Sequence, residues 1–176
     1  LWGMTDEGFA VDPSMVERNL IWVLTRLQIQ MVQYPRWGDL VSVETWLSPQ
    51  GRAAANREYV LRDVKTGDVL GNVTSIWVCV NTKTRRLVRI PDDIREKSEP
   101  YSAPDRPAPI PSAEVRQKIE EVDLEHAMHG PPRFAGHMNV DMNNHVNNVS
   151  YLTWALDLLP DEIFETYRLK QVRLIP

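Results

Sequence analysis

The chain has 176 residues, 43% hydrophobic and 25% charged, with a formal net charge of −4. That composition supplies one or two buried cores and excludes a disordered segment, and the negative balance gives no reason to expect nucleic-acid binding. The lone cysteine, Cys79, rules out an internal disulfide and fits a reducing compartment, and no run of about 18 apolar residues marks a membrane span.

The first ninety residues read as β. Residues 20–31 begin as an apolar run and then alternate, Leu27, Ile29 and Met31 against Arg26, Gln28 and Gln30, which predicts a strand buried on one face at its end. Pro35, Gly38 and Asp39 mark a turn. Residues 40–47 give a second strand, with Val41, Val43 and Thr45 alternating against Ser42, Glu44 and Trp46. Pro49 and Gly51 signal the next turn, residues 54–64 a third strand, Lys65 to Asp68 a hairpin-like turn around Gly67, and residues 69–81 a fourth strand. Four consecutive strands with short turns predict an antiparallel meander.

Residues 90–112 hold Pro91, Pro100, Pro104, Pro107, Pro109 and Pro111, a density that predicts an extended linker. The expected organisation is therefore 1–90, a linker over 91–112, and 113–176. Residues 115–124 fit strand or helix equally. A further β segment is expected over 133–141, then a helix over about 147–159. In that helix Val149, Leu152, Leu156 and Leu159 stand at helical spacing, Tyr151, Trp154, Ala155 and Leu158 fill most of the rest, and Ser150, Thr153 and Asp157 leave only a narrow polar stripe. A helix so apolar is expected to be largely buried, and Pro160 to end it. Residues 169–175 read as a last strand. A buried helix wrapped by an antiparallel sheet predicts an α+β, hot-dog architecture with two tandem units. The first is expected to be incomplete at its N-terminus and the second at its C-terminus.

Residues 139–148 contain five asparagines with Asp141 and His145, just before the predicted helix. Asp141, Asn143 and His145 are spaced by two, so in an extended segment their side chains share one face. An imidazole takes a proton from water near neutral pH, an amide donates to a carbonyl oxygen or holds a water, and a carboxylate orients either neighbour. The following helix would aim its free N–H groups at the same place, where the oxygen of a thioester gains charge. Asn and Asp also cap helices and make turns, with Asn147 or Asn148 the expected cap, and His145 also fits a structural role. Spacing alone leaves both readings open.

Asp141, Asn143, His145, Val146, Asn147, Asn148, Val149 and Tyr151 together resemble the D-x-N-x-H-V-N-N-V-x-Y signature of the plant and algal acyl-acyl carrier protein (ACP) thioesterases, the FatA/FatB family. Tyr34, Pro35, Arg36, Trp37, Gly38 and Asp39, with Glu44, Thr45 and Trp46, Ser75 to Val78, and Asn81 to Leu87, look like that family's N-terminal half. The resemblance implies two tandem hot-dog units and an acyl-ACP substrate. It also implies hydrolysis releasing a free fatty acid in the plastid stroma, with Asp141, Asn143 and His145 as catalytic residues and no cofactor or metal. It further implies that the first unit's helix lies before Leu1 and that a Glu and an adjacent Cys lie just past Pro176, so this chain alone is expected to be inactive. Any transit peptide is likewise expected outside the chain. The family often carries Asp where this sequence has Asn139.

Lys83, Arg85, Arg86 and Arg89 form a basic cluster that fits docking of an acidic carrier protein, or simply a solvated strand end. Cys79 is expected to be a buried structural thiol, and the six tryptophans mostly core. His126 and His129 have helical spacing but no third ligand nearby, so no metal site is expected. Two competing functions remain: a hydratase acting on acyl thioesters, and a non-catalytic module binding an acyl chain or carrier protein. The oligomeric state is open, a homodimer included.

Overall fold

The computed structural model describes residues 13–121, 123, 125, 127, 129–141 and 145–175. The chain divides into two compact units, Leu1–Gln117 with Lys170–Pro176, and Lys118–Leu169. The first therefore takes in residues 91–117 and 170–176, which the sequence assigns to the linker and the second unit.

Unit 1 is an antiparallel sheet. Strands β1 (Leu20–Met31), β2 (Val41–Gln50), β3 (Ala54–Asp63) and β4 (Val69–Asn81) lie within a few residues of the predicted bounds. Their order differs from a four-strand meander. With β5 (Arg86–Leu87) and β6 (Gln171–Leu174) added, the sheet runs β2-β3-β4-β1-β6, and β5 pairs with the end of β4. Hence β1 pairs with β4, from Leu20 opposite Asn81 to Met31 opposite Gly71, and not with β2. Residues 32–40 are too long and too Pro-restricted for a tight hairpin, so they carry the chain past the sheet end instead. The β3–β4 connection is tight: Asp63 Oδ1 accepts from the amides of Lys65 (2.7 Å) and Thr66 (3.0 Å), and Gly67 takes the left-handed φ of 78° that the turn requires.

Directly opposed residues share a sheet face. Gln28, Thr74, Glu58 and Trp46 form one such row across β1, β4, β3 and β2. All four are buried, although three are polar. Their cover is the Pro-rich segment. Arg106 stacks on Trp46 at 3.7 Å and pairs with Glu44 at 2.5 Å, Ile110 is buried against Ile76 and Val115, and Glu114 accepts from the amide of Gln28 at 2.7 Å. Residues 91–112 are thus not an extended linker. They contain α2 (Asp92–Ser98), a 3₁₀ turn at Glu99–Tyr101, and the start of α3 (Ser112–Val115). The prolines do not oppose this, because Pro91 and Pro111 sit at the N-caps of α2 and α3, where no N–H is needed. A second cluster joins Met15 of α1 (Pro13–Glu17) and Ile94 of α2 to Leu20, Cys79 and Ile90.

Unit 2 contains a 3₁₀ turn at His137–Asn139, α4 (Asn148–Leu156) and α5 (Asp161–Thr166). Two expectations fail here. Residues 133–141 are loop and 3₁₀ turn, not strand. Helix α4 has no buried residue, and Val149 and Tyr151 are 66% and 52% exposed. Among its described residues, unit 2 forms no strand beyond one isolated bridge. Local packing includes an edge-on Tyr151–Trp154 pair and Gly130, where any side chain would collide with Leu158. Pro160 caps α5, four residues beyond the end of α4.

Candidate active site

The segment bearing Asp141 and His145 is closed at its base. Val140 and Val146 form an antiparallel bridge. The Asp141 amide donates to the His145 carbonyl at 2.8 Å, and the Asn147 amide to the Asn139 carbonyl at 2.7 Å. These bonds between the two flanks of the segment bring Asp141 and His145 side by side. Oδ1 of Asp141 accepts from the backbone amide of His145 at 3.1 Å, and the His145 side chain is exposed. Asn143 lies outside the described residues.

The helix beside the loop is capped as its sequence predicts: Asn147 Oδ1 accepts from the Val149 amide at 2.9 Å. Asn139 is a residue whose part in this region the sequence does not reveal. Its Oδ1 accepts from the Gly136 amide at 3.1 Å, and its Nδ2 donates to Oγ of Ser150, in the first turn of α4, at 3.2 Å. A contact across eleven positions leaves no periodic signal; the only clue is that an Asn can donate and accept at once.

Of the basic cluster, Lys83 and Arg85 lie in the β4–β5 connection, Arg86 in β5 and Arg89 just beyond it. Asn81 Oδ1 accepts from the amides of Lys83 (3.0 Å) and Thr84 (2.9 Å), and Arg85 takes a left-handed φ of 55°. Lys83, Arg85, Arg86 and Arg89 are exposed, and Arg89 pairs with Asp92 at 2.7 Å. Cys79 is fully buried, and that burial pushes its thiol pKa up. Of the tryptophans, Trp46 is core, Trp22, Trp77 and Trp154 are half-buried, and Trp37 is fully exposed in the β1–β2 connection, contrary to its expected core role; Trp2 lies outside the described residues. A cleft in unit 1 is lined by Trp22, Leu47, Ala55, Ile90 and Ile94 with Arg95. His126 lies outside the described residues, and among the described residues no His, Cys, Asp and Glu cluster could hold a metal ion. No described helix is long and apolar enough to cross a membrane.

Residues 2–98 match the acyl-ACP thioesterase N-terminal domain and residues 120–175 the acyl-ACP thioesterase C-terminal domain. The chain belongs to the acyl-ACP thioesterase family. It is 38% identical over 173 residues to the chloroplastic palmitoyl-acyl carrier protein thioesterase of Arabidopsis thaliana, covering 98% of this chain and 41% of that protein. It is also 38% identical over 178 residues to the chloroplastic oleoyl-acyl carrier protein thioesterase 2 of Arabidopsis thaliana, covering 98% and 47%. Among solved structures, the 12:0-ACP thioesterase from Umbellularia californica matches with a TM-score of 0.80 and 34% identity, over 92% of this chain and 62% of that one. An acyl-ACP thioesterase from Bacteroides thetaiotaomicron matches with a TM-score of 0.70 and 28% identity, over 93% and 62%. The fold is thus hot-dog thioesterase-like, an antiparallel sheet with few helices. This acyl-ACP thioesterase chain spans less than half the length of the two Arabidopsis relatives.

Proposed function

We propose that this chain forms part of an enzyme that hydrolyses the thioester of a long- or medium-chain acyl-ACP, releasing the free fatty acid and so ending plastid fatty acid synthesis. The observation that carries the reading is the closed loop that sets Asp141 beside His145 two residues before the cap of α4. In this reading the His145 imidazole takes a proton from water, and the water oxygen attacks the thioester carbonyl carbon. Asn143 donates to the carbonyl oxygen or holds the water, and Asp141 fixes the loop. The C–S bond then breaks, the carrier's sulfur takes the proton back from the imidazolium, and the carboxylic acid leaves. The whole activity belongs to the protein that supplies the remaining length seen in the relatives.

The carrier protein is acidic, and the exposed Lys83, Arg85, Arg86 and Arg89 offer it a complementary surface. The relatives named above are chloroplastic, which supports a plastid location.

The test is full-length protein carrying Asn143→Ala or His145→Ala, incubated with acyl-ACPs of graded chain length while released fatty acid is measured. Loss of turnover in both folded variants, by about a hundredfold or more as for removal of a general base or a carbonyl donor, is the expected result. Turnover near wild type in both would remove Asn143 and His145 from the hydrolytic site, whereas no turnover in the unmodified full-length protein would leave the binding module.

A further inference from the structure

The loop between Val140 and Val146 is closed by backbone bonds to itself. Those bonds close its base but do not set its placement against α4. A general base and a helix N-terminus act on the same thioester only if the distance between them is held, and two residues of connecting chain, Val146 and Asn147, leave that distance to side-chain contacts. Among the described residues, one side-chain hydrogen bond spans from the chain entering the loop to α4. It runs from Nδ2 of Asn139 to Oγ of Ser150, at 3.2 Å and half-buried.

We propose that Asn139 is a positioning residue that ties the loop carrying Asp141 and His145 to the first turn of α4. Three of its bonds act in three directions. Oδ1 accepts from the Gly136 amide at 3.1 Å and fixes the 3₁₀ turn that leads in. The backbone carbonyl accepts from the Asn147 amide at 2.7 Å and closes the loop behind His145. Nδ2 reaches Ser150, whose own amide bonds to the Asn147 carbonyl at 2.9 Å, so the loop's entry, its exit and the helix's first turn meet at one side chain. Ala offers none of the side-chain bonds. Asp keeps an acceptor for Gly136, and the Ser150 hydroxyl can reverse and donate to the other oxygen, so the tie survives that exchange.

The inference rests on the reading of this loop as the hydrolytic site, and the test separates the two. Asn139→Ala, Asn139→Asp, Ser150→Ala, the Ala–Ala double variant and His145→Ala are made in the full-length protein. For each, kcat and KM on acyl-ACP and the melting temperature are measured. Asn139→Ala is expected to lower kcat about 10- to 100-fold with KM within about twofold and little change in melting temperature, the signature of misplacement. Ser150→Ala is expected to lower kcat in the same direction. The double variant should be no worse than the worse single one, because both remove the same bond. Asn139→Asp should restore most of the rate. If His145→Ala is inactive while Asn139→Ala keeps kcat within about twofold of wild type, the tie is refuted and the hydrolytic reading stands. If Asn139→Ala loses rate only in step with its folded fraction, the role is merely structural and the proposal fails. If His145→Ala retains full turnover, the hydrolytic reading falls and the tie with it.

Discussion

Asp141 and His145 are joined twice: the amide of Asp141 donates to the His145 carbonyl at 2.8 Å, and the amide of His145 donates to the Asp141 carboxylate at 3.1 Å. The carboxylate therefore holds the backbone that carries the imidazole. Asp141→Asn retains an acceptor oxygen and should keep the loop, whereas Asp141→Ala should lower turnover at least tenfold further and destabilise the loop by about 1 kcal/mol, the usual size of one such bond. Turnover and urea midpoints of the two variants decide this; equal loss in both would mean that the charge matters and the loop bond does not.

Helix α4 is capped by Asn147, whose Oδ1 accepts from the Val149 amide at 2.9 Å. Asn147→Ala should cost about 1 kcal/mol, while Asn147→Asp should be neutral or stabilising because a carboxylate also suits the positive helix end. Far-UV circular dichroism during urea unfolding checks both.

The strap over the polar sheet face depends on Arg106, which covers Trp46 at 3.7 Å and reaches Glu44 at 2.5 Å. Arg106→Ala should destabilise by about 1–2 kcal/mol, and Arg106→Lys should recover only the charge contact, since an ammonium cannot stack as a planar guanidinium does. If Lys and Ala gave the same urea midpoint, the ion pair would contribute nothing; if Lys matched Arg, the stacking would contribute nothing.

Three carboxylates give opposite pH dependences. The Arg106 and Arg62 guanidiniums hydrogen-bonded to Glu44, and that of Arg18 on Asp93, hold these two carboxyls below their ordinary values of 4.5 and 3.8. The unfolded chain binds more protons there, so this stability is present above those values and is lost as pH falls through the folded ones. Glu58 is fully buried, hydrogen-bonded only to Thr74 and to Asn56 (3.3 Å) among the described residues, and burial raises its pKa above 4.5. Here the folded state binds more protons, so stability falls as pH rises from about 4.5 to the folded value. Glu58→Gln should match wild type in acid and gain on it toward neutral pH, measured as unfolding free energy against pH; a constant difference would show that Glu58 does not titrate abnormally.

Charge reversal at Arg85 and Arg86, both exposed, should raise KM about tenfold for carrier-bound substrate and leave small thioesters unchanged. Equal effects on both substrate types would remove the docking surface.

The sequence by itself determined the strands, their turns and the helix cap. Each is governed by residues within a few positions of one another: the alternation of Leu27, Ile29 and Met31, the Asp63–Gly67 turn, and Asn147 before α4. Only the tertiary structure decided that β1 crosses to pair with β4, that the Pro-rich segment folds into a strap with Ile110 buried, and that Asp141 and His145 stand side by side. The reason is physical. Periodicity records whether a face is apolar, not what covers it. A polar row such as Gln28, Thr74 and Glu58 reads as solvent-facing until a distant Glu114 and Arg106 close over it, and a spacing of two points to one face only if the backbone stays extended.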